Sequence, residues 1–259
     1  DSTTTNLEAL AKIENLECTS YNLVSIDELI RHMTSLKILR CSKNSLTELD
    51  LSKNIKLERL DCSNNPLTDF LDVSNNIELT YLKCSYNKLT SLDVSNNIKL
   101  RELYCYSNQL TNLDLSRNIR LKHLECYYNL LTSLDISKNI NMEALFCSDN
   151  QLTNLDVSKN IALKQLNCEK NQLNKLDVGS NVIFKFLTCY DNLLTSLDIS
   201  SLSNLIMLKC CNQEKGFILY LNKIQKHIFT EADYCDAILK EKDGSICEIE
   251  WLDIYPNPT

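Results

Sequence analysis

Glycine and proline are scarce in this 259-residue chain, which contains 3 of each and a single tryptophan. Phosphate-binding loops depend on glycine for close approach of the backbone to the phosphate, so the low glycine content argues against a nucleotide-binding loop. Turns have to be built from Asn, Asp and Ser, which tolerate left-handed dihedrals and bond to their own backbone. We therefore expect the chain to reverse at clusters of these three residue types.

Three further features are missing. No run of about 20 apolar residues occurs, so no transmembrane segment is predicted. Basic residues are not in excess, since 27 Lys and Arg face 34 Asp and Glu for a net charge of −7, which argues against a nucleic-acid partner. No signal peptide, nucleophile elbow or zinc signature is visible, and the three histidines are far apart in sequence. The sequence predicts a protein that is not an enzyme and carries no metal or cofactor.

What the chain does have is a column of cysteines at nearly constant spacing. Eight intervals separate nine of them, and all are 21 residues except one of 22. A fixed period of this length predicts a solenoid of stacked coils. The nine cysteines of this predicted ladder are Cys41, Cys62, Cys84, Cys105, Cys126, Cys147, Cys168, Cys189 and Cys210.

Each repeat contains one short strand with an apolar inner side. Leucine stands two residues before every one of the nine cysteines, as at Leu39, and side chains two apart in a strand point the same way. Further apolar positions follow, ending with Ile55 and its equivalents, which we expect to point inward as well. The opposite wall shows no helical period, so extended or short 3₁₀ segments are predicted there.

The repeat frame resembles a known motif. Leu36-x-x-Leu39-x-Cys41-x-x-Asn44-x-Leu46 resembles the leucine-rich repeat, with Cys in place of its third Leu. The 21-residue length and the trailing Leu-Asp-Val/Leu/Ile-Ser-x-Asn are similar to the cysteine-ladder subgroup of bacterial internalins, over roughly residues 34 to 212. This resemblance implies a leucine-rich-repeat solenoid with short parallel strands on a concave face. It also implies a secreted or surface-bound adhesion protein, linked to virulence, that binds a protein on a host or bacterial surface.

Three ladders of side chains are expected inside or beside the coils. Stacked strands place cysteine Cβ atoms about 4.8 Å apart, farther than the about 3.8 Å of a disulfide, so we predict buried thiols rather than disulfides or a metal site. Asn44 and its equivalents should bridge neighbouring coils with their amides. Asp50 and its equivalents should form Asx-turns with the serine two residues on, with calcium between coils as the alternative.

Function is expected on the outward residues of the concave strands, which lie three residues and one residue before each cysteine and one residue after it. These positions vary while the inner ones are monotonous, and they collect most of the aromatic residues. Tyrosine is favoured at protein interfaces, and aromatic strips also stack on sugars. A protein partner is the first hypothesis, a glycan the second, and a passive spacer the third. The predicted partner-binding residues are Tyr81, Tyr104, Tyr106, Tyr127, Phe146, Phe186 and Tyr190.

The chain divides into three predicted parts. Residues 1–33 should form a small helical N-terminal cap with a degenerate first repeat around Cys18, and residues 34–212 the solenoid of about nine repeats. Residues 213–259 should form a C-terminal cap and the start of a sorting domain or tail. Cys211 is expected to point outward, and a disulfide between Cys235 and Cys247 is left open.

The last five residues, Tyr-Pro-Asn-Pro-Thr, resemble the opening of the C-terminal sorting domain of type IX secretion. That resemblance implies a protein that crosses an outer membrane and stays associated with the cell surface. Internalins usually carry an immunoglobulin-like module after their repeats, and about 47 residues are too few for one.

Overall fold

The computed structural model describes residues 2–222, 225 and 238–241, with side chains for residues 6–222, 225 and 238. Within these residues the chain forms two helices and fifteen short strands. The helices are α1 Ser2–Ala11 and α2 Asp27–Ile30. The strands are β1 Asn15–Glu17, β2 Ile38–Arg40, β3 Arg59–Asp61, β4 Thr68–Phe70, β5 Tyr81–Lys83, β6 Lys88–Ser91, β7 Glu102–Tyr104, β8 His123–Glu125, β9 Ala144–Phe146, β10 Gln165–Asn167, β11 Phe186–Thr188, β12 Ser196–Asp198, β13 Met207–Lys209, β14 Ile218–Leu221 and β15 Ile238–Glu241.

The main sheet contains ten parallel strands, in the order β1-β2-β3-β5-β7-β8-β9-β10-β11-β13. Strands pair in strict register, so that each central leucine lies beside the next, as Leu103 beside Leu124. One strand per coil and a return segment between strands make a parallel β-solenoid of the leucine-rich-repeat type. The predicted fold is confirmed, and β1 adds a rung ahead of the nine regular repeats.

The core is a single continuous cluster that runs through all the coils. The ladder cysteines are fully buried, as at Cys126, and none of the nine is in a disulfide. Burial raises the pKa of the Cys84 thiol to about 12. The predicted ladder of buried thiols is therefore confirmed, with Cys18 as a partly buried member at its N-terminal end.

The expectation that Ile55 and its equivalents point inward is wrong. These residues are 46–62% exposed and form a column on the return side of the coils. The preceding asparagine occupies the inward position instead: Asn54 is fully buried and its Nδ2 donates to the backbone oxygens of Ile30 and Met33. Since an inward asparagine turns its neighbour outward, the next side chain faces solvent. This isoleucine column comprises Ile55, Ile77, Ile98, Ile119, Ile140, Ile161 and Val182.

The return side is extended, with turns, as predicted. Each coil closes with backbone bonds between residues three apart, such as Leu57 N–H to Asn54 O at 3.0 Å. Two small parallel sheets form there, β4-β6 and β12-β14-β15. The coil with the 22-residue interval holds β4, where Asp69 has a φ of 61° and the register shifts before Phe70. The extra residue is absorbed at this bulge, and Phe70 is left 67% exposed.

Two polar ladders behave as expected. Asn129 illustrates the first, because its Oδ1 accepts the Leu110 N–H at 3.0 Å and its Nδ2 donates to the oxygens of Cys105 and Cys126. Asp114 illustrates the second. Its Oδ1 accepts the Ser116 N–H at 2.8 Å, and this bond holds the pKa of the carboxyl below its ordinary value.

The residue before each bridging asparagine is left-handed, with φ between 50° and 55° from Lys43 to Asp191. These positions include Lys43, Tyr86 and Tyr128, so the expectation that Asn, Asp and Ser supply the left-handed turns holds only in part. The asparagine amide bonds the adjacent backbone on both sides of the turn and stabilises this conformation, whichever side chain precedes it.

The N-terminal cap is helical but shorter than expected in its second part. Helix α2 covers Asp27–Ile30 rather than 25–33, and its N-cap is Ile26 with no side-chain cap bond, not Ser25. Ile30 and Met33 are buried against the first coils. At the other end Cys211 is partly exposed and disulfide-bonded. Residues Cys235 and Cys247, Trp251 and the Tyr-Pro-Asn-Pro-Thr tail lie outside the described residues.

Candidate partner-binding face

The sheet face consists of the outward side chains of the ten-stranded sheet, which the leucine-rich-repeat resemblance predicts to be concave. Each strand is three residues long and its central leucine points into the core, so the residues on either side of it point outward. All seven predicted aromatic residues are partly buried. Four lie on the strands, and Tyr106, Tyr127 and Tyr190 continue the face two residues past the ends of β7, β8 and β11. Strict register brings adjacent rungs together, so that rings 19 to 23 residues apart in sequence come into contact.

One chain of rings crosses four rungs of this face. The ring centroids of Tyr81 and Tyr104 lie 5.3 Å apart, those of Tyr104 and His123 5.0 Å, and those of His123 and Phe146 5.6 Å. At one end the guanidinium of Arg59 lies 4.1 Å from the centroid of the Tyr81 ring. A continuous aromatic surface therefore runs from Arg59 to Phe146.

A second cluster of four tyrosines lies beside the first chain. Tyr106 and Tyr127 are stacked, with centroids 4.3 Å apart and ring planes at 11°. Tyr86 and Tyr128 meet them edge-on at 5.3 and 5.7 Å. The latter two hold the left-handed positions just past the strands and are 52% and 53% exposed. The two clusters together form the aromatic strip: Tyr81, Tyr86, Tyr104, Tyr106, His123, Tyr127, Tyr128 and Phe146.

The structure does not join the other two predicted residues to the strip. In the described part of the chain, no ring contact reaches Phe186 or Tyr190. Phe186 instead lines a shallow depression of about 330 Å³ together with Phe146 and Met207. Its lining is mixed, because Gln165, Asn167 and Thr188 line it as well.

Carboxylates are interleaved with the rings. The Tyr104 hydroxyl donates to Glu102 at 2.8 Å, and His123 Nε2 lies 2.9 Å from Glu125 Oε1. Burial, and then the bond to Glu102, raises the pKa of Tyr104. Burial and the hydrogen bond to Glu169 raise the pKa of Tyr190 to about 12. These phenols therefore stay neutral at physiological pH and act as hydrogen-bond donors to the carboxylates.

Sequence reasoning missed four residues of this surface: Arg59, Glu102, His123 and Glu125. His123 stands in the outward column, but its distance in sequence from the other histidines made it look isolated. The signal that locates it is register, because His123 lies one rung beyond Glu102 and joins the rings of Tyr104 and Phe146. Arg59 is placed in the same way, one rung before Tyr81.

Chemistry other than binding has little support in the described residues. There, no group of three or more His, Cys, Asp or Glu is placed to hold a metal ion. The ladder thiols are sealed in the core, and burial raises their pKa, so they are poor nucleophiles. No helix in the described ranges is long and apolar enough to cross a bilayer.

No known family profile and no curated protein sequence matches the chain. Solved structures do match. The functional domain of InlJ from Listeria monocytogenes, which includes a cysteine ladder, is 29% identical with a TM-score of 0.67, over 90% of this chain and 63% of its own. An internalin, InlF, from Listeria monocytogenes is 21% identical with a TM-score of 0.53, over 94% of this chain and 85% of its own.

The plant peptide hormone receptor RGFR1, solved in complex with RGF2, is 22% identical with a TM-score of 0.66, over 78% of this chain and 36% of its own. The chain thus spans less than two thirds of the length of the InlJ domain and about a third of the receptor. These likenesses show that the chain has the leucine-rich-repeat fold seen in internalin structures.

Proposed function

We propose that this chain is the ligand-binding domain of a secreted or cell-surface adhesin, and that its sheet face engages a protein partner on a host or bacterial surface. The observation that carries the proposal is the aromatic strip, which is contiguous over four rungs and ends on a cation–π contact with Arg59 on a fifth. Contiguous patches of this kind mark interaction sites, whereas singly exposed aromatic residues do not.

The chemistry of the strip suits protein recognition. Tyrosine offers a large rigid area with a hydroxyl at its edge, and aromatic residues are enriched at the energetic centres of interfaces. The strands beneath are locked by register and by the asparagine ladder, so the rings are held before a partner arrives. Such preorganisation reduces the entropy lost on binding.

The internalin resemblance supports the surface location, and within the internalins we assign the chain to the cysteine-ladder, 21-residue repeat subgroup. InlJ shares the ladder that this chain shows. The resemblance of Tyr-Pro-Asn-Pro-Thr to a type IX sorting domain supports association with an outer membrane. Residues 1–33 and 213–259 are proposed as the two caps of the solenoid.

A surface glycan is the second candidate. The rings of Tyr81 and Tyr104 form a tilted aromatic platform, and the Glu102 carboxylate beside it accepts the Tyr104 hydroxyl. Sugars stack on such platforms while their hydroxyls donate to carboxylates. A glycan array would show this as a hit that disappears in Tyr104→Ala, since Tyr104 orients Glu102.

The protein-binding proposal is tested by capture from surface extracts with two matched charge insertions. Tyr127→Glu places a charge in the strip, whereas Ile119→Glu places one on the return side of the same coil. Capture should fall at least tenfold for Tyr127→Glu and stay within twofold of wild type for Ile119→Glu. Equal capture by all three proteins would overturn the proposal and leave a spacer role.

A further inference from the structure

Rings and carboxylates are paired repeatedly on the sheet face. Tyr104 bonds Glu102 and His123 contacts Glu125. Glu169 lies on the rung before Tyr190 and raises the pKa of its phenol, after burial. Each carboxylate lies within two rungs of the next along the sheet. A ring face beside a carboxylate is an arrangement that attracts cations, through the ring quadrupole and through direct charge.

A fourth pair shows what such a pair can hold. Arg59 and Asp61 lie on β3, and both line a depression of about 220 Å³ with Tyr81 on the next strand. The guanidinium of Arg59 is seated 4.1 Å above the Tyr81 ring. Here the chain supplies its own cation to a ring flanked by a carboxylate.

The outward positions of the central strands supply no such cation. These positions of β7 to β10, together with the second residue after each strand, include Glu102, Glu125 and Glu169 but no lysine or arginine. Basic residues flank them: Arg101, Lys122 and Lys164 each directly precede a strand, and Lys122 and Lys164 are both paired with Glu143. The outward positions of these rungs are therefore acidic and aromatic, beside a basic flank at the start of the strands.

We propose that this central segment receives the basic side chains, arginine above all, of an extended polypeptide. The inference rests on the proposed function and adds the chemical class of the partner. Arginine suits the segment because its planar guanidinium stacks on a ring while its N–H groups reach a carboxylate. The intramolecular contact of Arg59 with Tyr81 supplies the pattern.

The spacing of the three carboxylates predicts the spacing of the arginines in the peptide. Glu102, Glu125 and Glu169 span three rungs, about 15 Å at ~4.8 Å per rung. They are also shifted by two residues from one to the next along the strand direction, about 13 Å in all, so the line through them is a diagonal of about 20 Å. An extended peptide advances about 3.3 Å per residue and alternates its side chains, so arginines at its first, third and seventh positions point the same way and cover about 20 Å.

The test uses a fluorescent peptide with arginines at its first, third and seventh positions and serine at the positions between, titrated with the full chain and followed by anisotropy. Lysine and glutamate versions of the peptide give the comparison. The double variant Glu102→Gln/Glu125→Gln removes two strip carboxylates. Its matched control, Glu28→Gln/Glu48→Gln, removes two exposed carboxylates on the return side and changes the net charge equally.

We expect the arginine peptide to bind most tightly, lysine next and glutamate least. The strip variant should weaken binding of the arginine peptide at least tenfold and the control variant less than twofold. Raising the salt concentration from about 50 to about 300 mM should weaken wild-type binding, because charge pairs are screened. Equal losses in the two variants would show attraction to net charge alone, and would overturn the inference.

The same variants separate this inference from the proposed function. Suppose that a surface protein is captured and lost in Tyr127→Glu, yet keeps its affinity in Glu102→Gln/Glu125→Gln. The binding face then stands and the cationic partner is wrong. Strip-dependent binding of the arginine peptide, with no surface protein captured through this face, would instead support the cationic ligand and contradict the adhesin role.

Discussion

The ladder leucines and the isoleucine column are equally repetitive in sequence but lie in opposite environments. Leu124 is fully buried, whereas Ile119, five residues earlier in the same coil, is 54% exposed. Both recur at the 21-residue period, and both are aliphatic. The comparison teaches that a repeated apolar residue reports the period of a solenoid and not its burial.

Hydrogen bonding decides between the two columns. Asn118 lies just before Ile119, is fully buried, and donates to the backbone oxygens of Val94 and Asn97 in the preceding coils. Unpaired buried carbonyls are costly, so the amide takes the inward place. The isoleucine is displaced outward although it is the more apolar residue.

The largest expected effect comes from raising the pH, which acts chiefly through the buried thiols of the inward side. Burial raises the pKa of Cys84 and Cys147 to about 12, from an ordinary value of 9.0. Since the unfolded thiol ionises first, the stabilisation is complete below about pH 9 and is lost as the pH rises toward 12. Each such thiol removes about 1.4 kcal/mol per pH unit in that window. Urea unfolding from about pH 7 to about pH 11 should show a steep fall in the free energy of unfolding.

Cys147→Ala is the control for that titration. Its free energy of unfolding should be lower at neutral pH, because a cavity is left, but should fall less steeply above about pH 9, by about 1.4 kcal/mol per pH unit. An unchanged slope would mean that the folded thiols are accessible to hydroxide. Alkylation of the native protein by iodoacetamide at mildly alkaline pH would then also proceed at the ladder positions.

The next largest effect is the difference in stability between alanine variants of the ladder leucines and of the isoleucine column. Leu124→Ala should lower the free energy of unfolding by about 2–5 kcal/mol, since it empties a buried site. Ile119→Ala should change it by about 0.5 kcal/mol or less, as is usual for exposed positions. Urea denaturation of both variants measures the difference. A comparable loss at Ile119 would show that the isoleucine column is covered in solution, and its dependence on protein concentration would identify a second copy as the cover.

The smallest expected effect is a difference in the free energy of unfolding between variants of two asparagine ladders. Asn129 uses both ends of its amide, whereas the Oδ1 atom of Asn118 is buried with no partner in the described residues. Asn129→Ala leaves the Leu110 N–H unpaired and should cost about 1–3 kcal/mol. Asn118→Ala also removes a lone acceptor, so its cost should be about 1 kcal/mol smaller. Thermal melts of the two variants rank them, and the reverse order would show that Asn118 Oδ1 has found a donor.

Much of the binding face could be predicted from sequence, because register follows from the period. Tyr81, Tyr104 and Phe146 stand one residue from a buried leucine, and alternation along a strand sends them outward. Contacts between side chains within the face were harder to predict from the sequence. The position of Arg59 on Tyr81, and the bond from Tyr104 to Glu102, depend on side-chain rotamers that adjacent rungs select together.

The irregular coil shows the same division. The 22-residue interval predicts one extra residue between Cys62 and Cys84. The chain absorbs this extra residue at strand β4, where Asp69 adopts a left-handed conformation and Phe70 is turned to solvent. The strand residues on either side have no freedom to absorb it, because their register is held by ladder bonds.

By itself the sequence determined the stacking of the coils, the register of the strands and the burial of leucine and cysteine. A constant period with alternating side chains admits no other arrangement of the strand. Only the tertiary structure decided which residues of the return side face solvent, which tyrosines are left-handed and which rings touch. Those outcomes depend on how backbone groups of one coil are paired by side chains of the next, and no single repeat carries that information.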